Sequence, residues 1–435
     1  MKKNVFLIPL ISLFLFQQCA TVKPKKLRKA IGSDIENSAI LNQHFVGFVL
    51  YDIEEKQVLY EKNASKYFTP ASNTKLFTFY TSLKILGDSI PALRYINKGD
   101  SLIFWGTGDP SFLHLDSLGN SKAYHFLSGT DKKLLLSTSN YIDARFGAGW
   151  AWDDYNYYYS PDRSAFPIYG NVVKFHLKGT GKLPGVSPPI FKDAVQIGLS
   201  ETVLLRNEMN NSFVFNPALD NSKKEKDIPF KYSEDLLIKL LSDTLKKEVT
   251  AINTPYDVTS KTIYSIPADS LYKRLLHISD NFIAEQLLVL CGATLGDSIT
   301  AEKVIDYAKE NFLADLPDEP VWRDGSGLSR YNLFTPRAIV KLLEKIYQEV
   351  PEKRLFTLLP SGGESGTIEK YYAAEKPYIF AKTGTLSNNH CLSGYLVTNS
   401  GKRLIFSFMN NHYIHSSGLA KQEMEKVLKM IRDTY

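Results

Sequence analysis

The chain of 435 residues has few of the residues that bind metals or form cross-links, with only 3 cysteines and 8 histidines. No H-E-x-x-H segment is present, which argues against a zinc peptidase. Beyond the N-terminus, no apolar run is long enough to span a bilayer. The net charge of +6 is spread along the chain rather than gathered in a basic stripe. We therefore expect no metal, no other cofactor and no nucleic-acid partner.

The N-terminus is typical of an export signal. Lys2 and Lys3 precede an apolar run of twelve residues, Val5–Phe16, which is too short to cross a membrane. Cys19 follows this run, as in bacterial lipoprotein signals, so residues 1–19 are predicted to be a signal peptide with Cys19 as the lipidation site. The protein is then expected in the periplasm on a lipid anchor. Cys291 and Cys391 remain, and they either pair or stay as buried free thiols.

The length suits two or three domains, and the pattern of apolar residues and turn signals changes twice along the chain. Residues 20–88 contain a predicted hairpin, 44–60, and an apolar helix, 74–86. Residues 89–261 are rich in turn signals between short strands, for example at 101–105, 171–177 and 212–215, and this predicts an inserted, mostly β domain. Residues 262–435 resume the first domain.

The end of the chain indicates how the first domain folds. A helical stretch is predicted over 265–290, with Ser279 inside it, and further helices over 301–312 and 335–349. Three strands, 378–385, 391–398 and 403–410, precede a last amphipathic helix, 418–435. Together with the first hairpin, these strands predict one antiparallel sheet flanked by the two terminal helices, an α/β (α+β) domain.

Ser72 and Lys75 form an S-x-x-K motif at the start of the predicted helix 74–86. Their spacing puts both side chains on one helix face. A serine hydroxyl needs an adjacent base to become a good nucleophile, and a lysine serves only if its pKa falls from about 10.4. Burial lowers such a pKa, and so does a nearby cation, for which Lys382 is the candidate. Ser72 is thus a candidate nucleophile and Lys75 its base.

Two further motifs complete a serine acyl-transfer site. Ser279 can relay a proton to a leaving amine, and Asn281 can hold a carbonyl or orient the lysine, although Ser-Asp-Asn also caps helices well. The predicted strand 378–385 carries Lys382-Thr383-Gly384-Thr385. Its lysine and hydroxyls can bind a carboxylate, and its glycine can admit a substrate backbone. The backbone N–H groups of Thr385 and Ser72 are predicted to form an oxyanion hole.

The three motifs, in this order, are typical of penicillin-binding proteins and related β-lactamases. Seven stretches make the resemblance more specific: Thr69–Lys75, Gly106–Pro110, Gly149–Asp154, Ser279–Asn281, Asp324–Arg330, Lys382–Leu386 and Leu392–Tyr395. From about Val46 onwards, the chain resembles the class C low-molecular-mass penicillin-binding proteins, the D-alanyl-D-alanine carboxypeptidase/endopeptidase family. Members carry their extra domain between the first two motifs, here 207 residues apart (279 − 72).

The resemblance implies an acyl-enzyme on Ser72, peptidoglycan stem peptides as substrates, and β-lactams as covalent inhibitors. It implies that Lys382, Thr383 and Thr385 bind the substrate's terminal carboxylate, with Gly384 in the same substrate-binding strand. The family also contacts the substrate's side chain through an acidic residue and an arginine, which match Asp154 and Arg330 here. A structural alternative for Arg330 is pairing with Asp324.

Two alternatives stay open at this point. One is a serine β-lactamase or esterase on the same scaffold, although no E-x-x-L-N element is present to activate a deacylating water. The other is a non-catalytic lipoprotein that binds the cell wall, against which the intact motif residues argue. Ser326, within Gly325-Ser326-Gly327, is a second candidate nucleophile, but it lacks the full G-x-S-x-G pattern and a base three residues on.

Overall fold

A computed structural model describes residues 24–116, 118, 122–221, 223–296 and 300–435. The predicted signal peptide and Cys19 lie outside the described residues. The helices are α1 (Pro24–Glu36), α2 (Lys75–Ile85), α3 (Lys122–Gly129), α4 (Glu234–Leu245), α5 (Ala268–His277), α6 (Asn281–Leu295), α7 (Ala301–Asn311), α8 (Pro336–Glu349), α9 (Glu352–Leu358) and α10 (Ser417–Thr434). The strands are β1 (Phe45–Asp52), β2 (Gln57–Lys62), β3 (Ser89–Lys98), β4 (Ser101–Gly106), β5 (Lys133–Ser137), β6 (Val172–His176), β7 (Gly185–Ser187), β8 (Val195–Ile197), β9 (Leu204–Arg206), β10 (Phe213–Phe215), β11 (Glu225–Pro229), β12 (Val249–Ala251), β13 (Lys261–Pro267), β14 (Ile379–Leu386), β15 (Asn389–Val397) and β16 (Arg403–Asn411).

A five-stranded antiparallel sheet, in the order β14-β15-β16-β1-β2, carries the third motif. The alternation along β1 shows why helices cover both faces. Phe48 and Leu50 are buried with residues of α1 and α10, whereas Val49 is buried with residues of α2, α5, α6 and α8. The predicted assembly of the first hairpin, the late strands and the terminal helices is confirmed.

The chain from β3 to β13, which we call the central segment (residues 89–267), forms three further sheets, one of five strands and two of three. Their strand orders are β12-β5-β4-β3-β13, β8-β10-β9 and β11-β6-β7. Buried residues from Ala92 to Val249 form a hydrophobic core of their own, which also includes residues of α3 and α4. Because β13 pairs with β3, the first of these sheets extends to Pro267, beyond the predicted boundary at residue 261.

The chain breaks its helical course at the second motif. The prediction of a helical stretch through Ser279 is wrong, since α5 ends at His277 and α6 begins at Asn281. Ser279 adopts a left-handed conformation with φ of 61°. Asp280 then caps α6, because its Oδ1 accepts a hydrogen bond of 3.1 Å from the N–H of Ile283. This kink turns the Ser279 side chain away from the helix surface and toward the third motif.

The two cysteines within the described residues are separate, buried free thiols. The Sγ of Cys291 lies 3.7 Å from the Ser82 hydroxyl, and that of Cys391 lies 3.6 Å from the carbonyl of Thr69. Of the two readings of the sequence, buried thiols are therefore correct. None of the helices in the described ranges is both long and apolar enough to span a membrane.

Candidate active site

A short 3₁₀ turn, Ala71–Thr74, presents Ser72 directly before α2. Ala71 holds a left-handed φ of 48°, an uncommon conformation for alanine that is typical of constrained functional turns. The turn is fixed to β14 by Asn73, whose Nδ2 donates to the Lys382 carbonyl at 2.8 Å. These contacts seat the nucleophile turn against the third motif.

Lys75 is fully buried, and its Nζ has three acceptors. It donates to Ser72 Oγ at 2.9 Å, to Asn281 Oδ1 at 2.7 Å and to the Ser326 carbonyl at 2.6 Å. Burial lowers the pKa of Lys75 to about 8, although nearby carboxylates, led by Asp324, oppose this shift. A neutral Lys75 would therefore be accessible near physiological pH, with its lone pair beside the serine hydroxyl.

The second motif contacts both lysines of the site. Asn281 turns its oxygen toward Lys75 because its Nδ2 donates to the Tyr159 carbonyl at 3.0 Å. The Ser279 hydroxyl accepts a hydrogen bond of 2.8 Å from Lys382 Nζ. Asp280, between them, serves the helix cap and an ion pair of 2.8 Å with Arg274. The motif is thus a helix cap and part of the site at once.

Lys382 is completely buried, and its Nζ also donates to the Thr383 carbonyl at 2.7 Å. Burial, and then the charge on Lys75, lowers the pKa of Lys382 well below its ordinary value. The sequence analysis expected the charge on Lys382 to help lower the pKa of Lys75, but burial lowers it and Lys382 is not among the causes; the charge on Lys75 instead lowers the pKa of Lys382.

The structure shows why position 384 requires a glycine, which the sequence did not reveal. A Cβ at this position would lie 2.4 Å from the Pro70 carbonyl oxygen and 2.9 Å from the backbone nitrogen of Ser72. The glycine therefore lets β14 approach the nucleophile turn closely.

A cavity of about 1200 Å³ opens above these groups. It brings together six of the predicted site residues: Ser72, Ser279, Asn281, Thr385, Asp154 and Arg330. Lys382, Thr383 and Gly384 lie behind its wall, where the Thr383 hydroxyl donates to Thr367 Oγ1 at 2.7 Å. Thr385 lies in the wall, and its hydroxyl is 2.8 Å from His390 Nδ1. Across the described ranges, no cluster of His, Cys, Asp and Glu could hold a metal ion.

Asp154 and Arg330 lie in the wall of this cavity, on the central segment and on the turn after Asp324 respectively. Asp154 accepts a hydrogen bond of 2.7 Å from the Tyr159 hydroxyl, and burial raises the pKa of its carboxyl, with Arg330 acting in the opposite direction. Arg330 is exposed, and its Nη1 lies 3.5 Å from the Ser387 carbonyl. Its guanidinium is therefore directed to the cavity side and does not pair with Asp324.

Sequence reasoning missed the groups behind Lys75. Asp324, Ser326 and Glu285 are buried, and the Ser326 carbonyl is an acceptor of the lysine. The buried Ser326 hydroxyl donates toward Asp324 at 3.4 Å, which removes Ser326 as a second nucleophile. One signal was present: Glu285 is a lone acidic residue in the apolar helix α6, one turn after Asn281.

Comparison with known proteins agrees with this geometry. Residues 27–434 match the D-Ala-D-Ala carboxypeptidase 3 (S13) family. The chain belongs to this family. It is accordingly a serine-type D-Ala-D-Ala carboxypeptidase, with the fold of the penicillin-binding enzymes, and the class predicted from the three motifs is confirmed.

Individual S13 relatives are distant in sequence. The chain is 23% identical to the D-alanyl-D-alanine carboxypeptidase DacB of Haemophilus influenzae, over 90% of each chain. It is 25% identical to the D-alanyl-D-alanine carboxypeptidase of Actinomadura sp., over 92% of this chain and 83% of the relative. The crystal structure of penicillin binding protein 4 from Haemophilus influenzae superposes with a TM-score of 0.73, 19% identity, and coverage of 95% of this chain and 100% of that one.

Proposed function

We propose that this S13 enzyme cleaves the terminal D-alanine from peptidoglycan stem peptides, and also D-Ala cross-links, through an acyl-enzyme on Ser72. The observation that carries the proposal is the hydrogen bond of 2.9 Å between Lys75 Nζ and Ser72 Oγ, made by a lysine whose pKa is lowered to about 8. At pH 7 about one-tenth of such a lysine is neutral and able to act as a base.

In the acylation step, Lys75 takes the Ser72 proton while Ser72 Oγ attacks the carbonyl carbon of the scissile amide. The tetrahedral adduct then collapses, the C–N bond breaks, and the leaving D-alanine amine takes a proton. Ser279 is suited to pass that proton, because its hydroxyl lies in the cavity and is held by Lys382 Nζ at 2.8 Å. Water then hydrolyses the ester and restores Ser72.

The positive charge behind β14 suits a substrate that ends in a carboxylate. Lys382 is buried behind Ser279, and Thr385, whose hydroxyl lies 2.8 Å from His390 Nδ1, lines the cavity. The carboxylate of the terminal D-alanine would bind at Thr385, near the charge of Lys382. Backbone N–H groups of Ser72 and Thr385 are proposed as the oxyanion hole, since both residues line the cavity.

Asp154 and Arg330 are proposed to contact the side chain of the third residue of the stem peptide. Both line the same cavity as Ser72, and the charge on Arg330 favours the charged form of Asp154. A side chain that carries an amine and a carboxylate together, as diaminopimelate does, would match this pair in both charges.

A β-lactamase activity is the second candidate, and the contacts of the site disfavour it. Within the described residues, the hydrogen-bond partners of Lys75 Nζ are Ser72, Asn281 and Ser326, and none of these is a carboxylate. Because no carboxylate is hydrogen-bonded to Ser72 or Lys75 among the described residues, none is held there to activate a water, and we expect a penicilloyl group on Ser72 to be hydrolysed slowly. β-Lactams are therefore proposed to act as covalent inhibitors.

We also propose that the enzyme is exported and held at a membrane through lipid on Cys19. The apolar run Val5–Phe16 followed by this cysteine supports the proposal. The first described helix, α1, begins at Pro24 and is buried against the sheet through Leu27, Ile31 and Ile35, so few residues would separate the anchor from the catalytic domain.

The experiment that tests the function is release of D-alanine from a pentapeptide ending in D-Ala-D-Ala. We expect the wild-type chain to release it and Ser72→Ala to release none, with thermal unfolding unchanged, because Ser72 lies in a cavity wall and fills no core. D-Alanine release by a folded Ser72→Ala variant would overturn the assignment of the nucleophile.

A further inference from the structure

A pair of buried carboxyl groups lies behind Lys75, on the side away from the substrate cavity. Glu285 lies on α6 and is 1% exposed, and Asp324 is fully buried in the loop between α7 and α8. Neither residue lines the cavity. Burying two carboxyl groups together is costly unless one is protonated or both are compensated, so their presence calls for a reason.

Glu285 reaches Lys75 through a single residue. Lys75 Nζ donates to the Ser326 carbonyl at 2.6 Å, and the Ser326 N–H donates to Glu285 Oε1 at 2.8 Å. Ser326 is thus held between the catalytic lysine and the Glu285 carboxyl. Its neighbour Gly327 packs closely against the nucleophile turn, because a Cβ there would lie 1.9 Å from the Ala71 carbonyl oxygen.

The Asp324 carboxyl accepts hydrogen bonds from several donors. Its oxygens accept hydrogen bonds from Gly327 N at 2.9 Å, Ser329 N at 2.7 Å and Asn332 Nδ2 at 2.7 Å. The indole N–H of Trp150, from the central segment, adds a fourth at 2.8 Å. Glu285 has far fewer donors, and its Oε2 has no hydrogen-bond partner among the described residues. Of the two carboxyls, Glu285 is therefore the one whose charge is less well compensated by hydrogen bonds.

The counter-charge to Glu285 comes from the central segment. Arg163 Nη1 lies 3.8 Å from Glu285 Oε2, and the same nitrogen lies 3.1 Å from Asp143. The ionisable groups that act on Glu285 are thus Lys75 on α2, Asp324 on its turn, and Arg163 and Tyr141 on the central segment. Burial, and then Asp324, raises the pKa of Glu285 to about 7, below that of Lys75 at about 8.

From these contacts we infer that Glu285 is a positioning residue for the reaction: it holds Ser326 against Lys75, and its negative charge retains the proton on the lysine. The inference rests on the proposed function of Lys75 as the base. Because Arg163 favours the charged form of Glu285, the central segment takes part in setting the pH at which the enzyme becomes active, in addition to lining the cavity.

The test is the pH dependence of kcat/KM for D-alanine release by Glu285→Gln. Glutamine keeps the shape and an oxygen for the Ser326 N–H, but it carries no charge. Lys75 then loses its proton more readily, so we expect the acid limb of the profile to move to lower pH by about one unit. Asp109→Asn is the matched control, because Asp109 is also a buried carboxyl with a raised pKa. Its hydrogen bonds come from Ser111, which is not a partner of Lys75. Its acid limb should not move.

The wild-type profile gives a second readout that needs no variant. Glu285 loses its proton in the pH range where Lys75 begins to do so, and its new charge holds the proton on Lys75. The acid limb of the wild type should therefore be shallower than one ionisation gives, and Glu285→Gln should restore the steepness of a single ionisation. An unmoved limb in a folded Glu285→Gln, or a wild-type limb with the slope of one ionisation, overturns the inference. No D-alanine release by the wild type at any pH would instead refute the proposed function.

Discussion

The substitution Asn281→Asp should lower the activity of the enzyme by raising the pKa of Lys75. Asn281 Oδ1 lies 2.7 Å from Lys75 Nζ, and an aspartate oxygen can occupy the same place. The change exchanges a neutral amide for a carboxylate in contact with the buried ammonium. A carboxylate that close favours the charged form of the lysine and typically raises its pKa by about 1 to 3.

The expected magnitude follows from the pKa of Lys75, which is about 8. If the new carboxylate raises it by about two, the neutral fraction at pH 7 falls roughly a hundred-fold, and kcat/KM falls with it. Raising the pH toward about 10 should recover most of this loss. Some loss will remain at every pH, because aspartate cannot donate to the Tyr159 carbonyl as Asn281 Nδ2 does at 3.0 Å.

The assay is kcat/KM for D-alanine release from a D-Ala-D-Ala peptide across pH 6 to about 10.5, with thermal unfolding as a check of folding. Asn281→Ala is the matched control: it removes the amide without adding charge, so its rate should fall with the acid limb near its original pH. If Asn281→Asp loses activity equally at every pH, the charge state of Lys75 does not limit the reaction, and the reasoning is refuted.

Three further predictions concern the base, the specificity and the anchor. Lys75→Arg should be nearly as inactive as Lys75→Ala in D-alanine release, because an arginine pKa above about 12 forbids a neutral base; an active arginine variant would mean that charge alone suffices. Arg330→Ala should lower kcat/KM about ten- to a hundred-fold for a diaminopimelate peptide, as expected for the loss of one charged contact, and much less for a lysine peptide; equal losses would make Arg330 structural. Intact mass of the exported protein should show a chain that begins at Cys19 with added lipid, whereas an unmodified mass or cleavage after Cys19 would leave a soluble enzyme.

Most of the fold that could be predicted follows from the pattern of apolar and turn residues at neighbouring positions in the sequence. Short apolar runs separated by turn residues predicted β1 and the three late strands, and such runs are continuous because helices cover both faces of the sheet. The break at Ser279 was not predicted, since apolar residues continue at helical spacing on both sides of it. The left-handed φ of Ser279 could not be predicted from its neighbours in sequence, because the partner of its hydroxyl is Lys382 on a distant strand.

The residues of the site likewise divide into those that the motifs predicted and those that depend on contacts between distant parts of the chain. The three motifs predicted the lysines, serines and Asn281 that the structure brings together, because this chemistry demands those residue types. The role of Gly384 could not be predicted, because it depends on how closely β14 passes the turn before α2. Glu285 and Arg163 could not be predicted either, since a buried charge is recognisable only from what surrounds it, and their contact joins parts of the chain 122 positions apart (285 − 163).

The central claim is that Ser72 is the nucleophile activated by Lys75. The most direct measurement is to incubate the protein with a labelled penicillin, digest it, and locate the label by mass spectrometry. The account predicts one penicilloyl group per chain, on the peptide that carries Ser72, formed faster as the pH rises through about 8. Label on any other serine, or no covalent label at all, would contradict it.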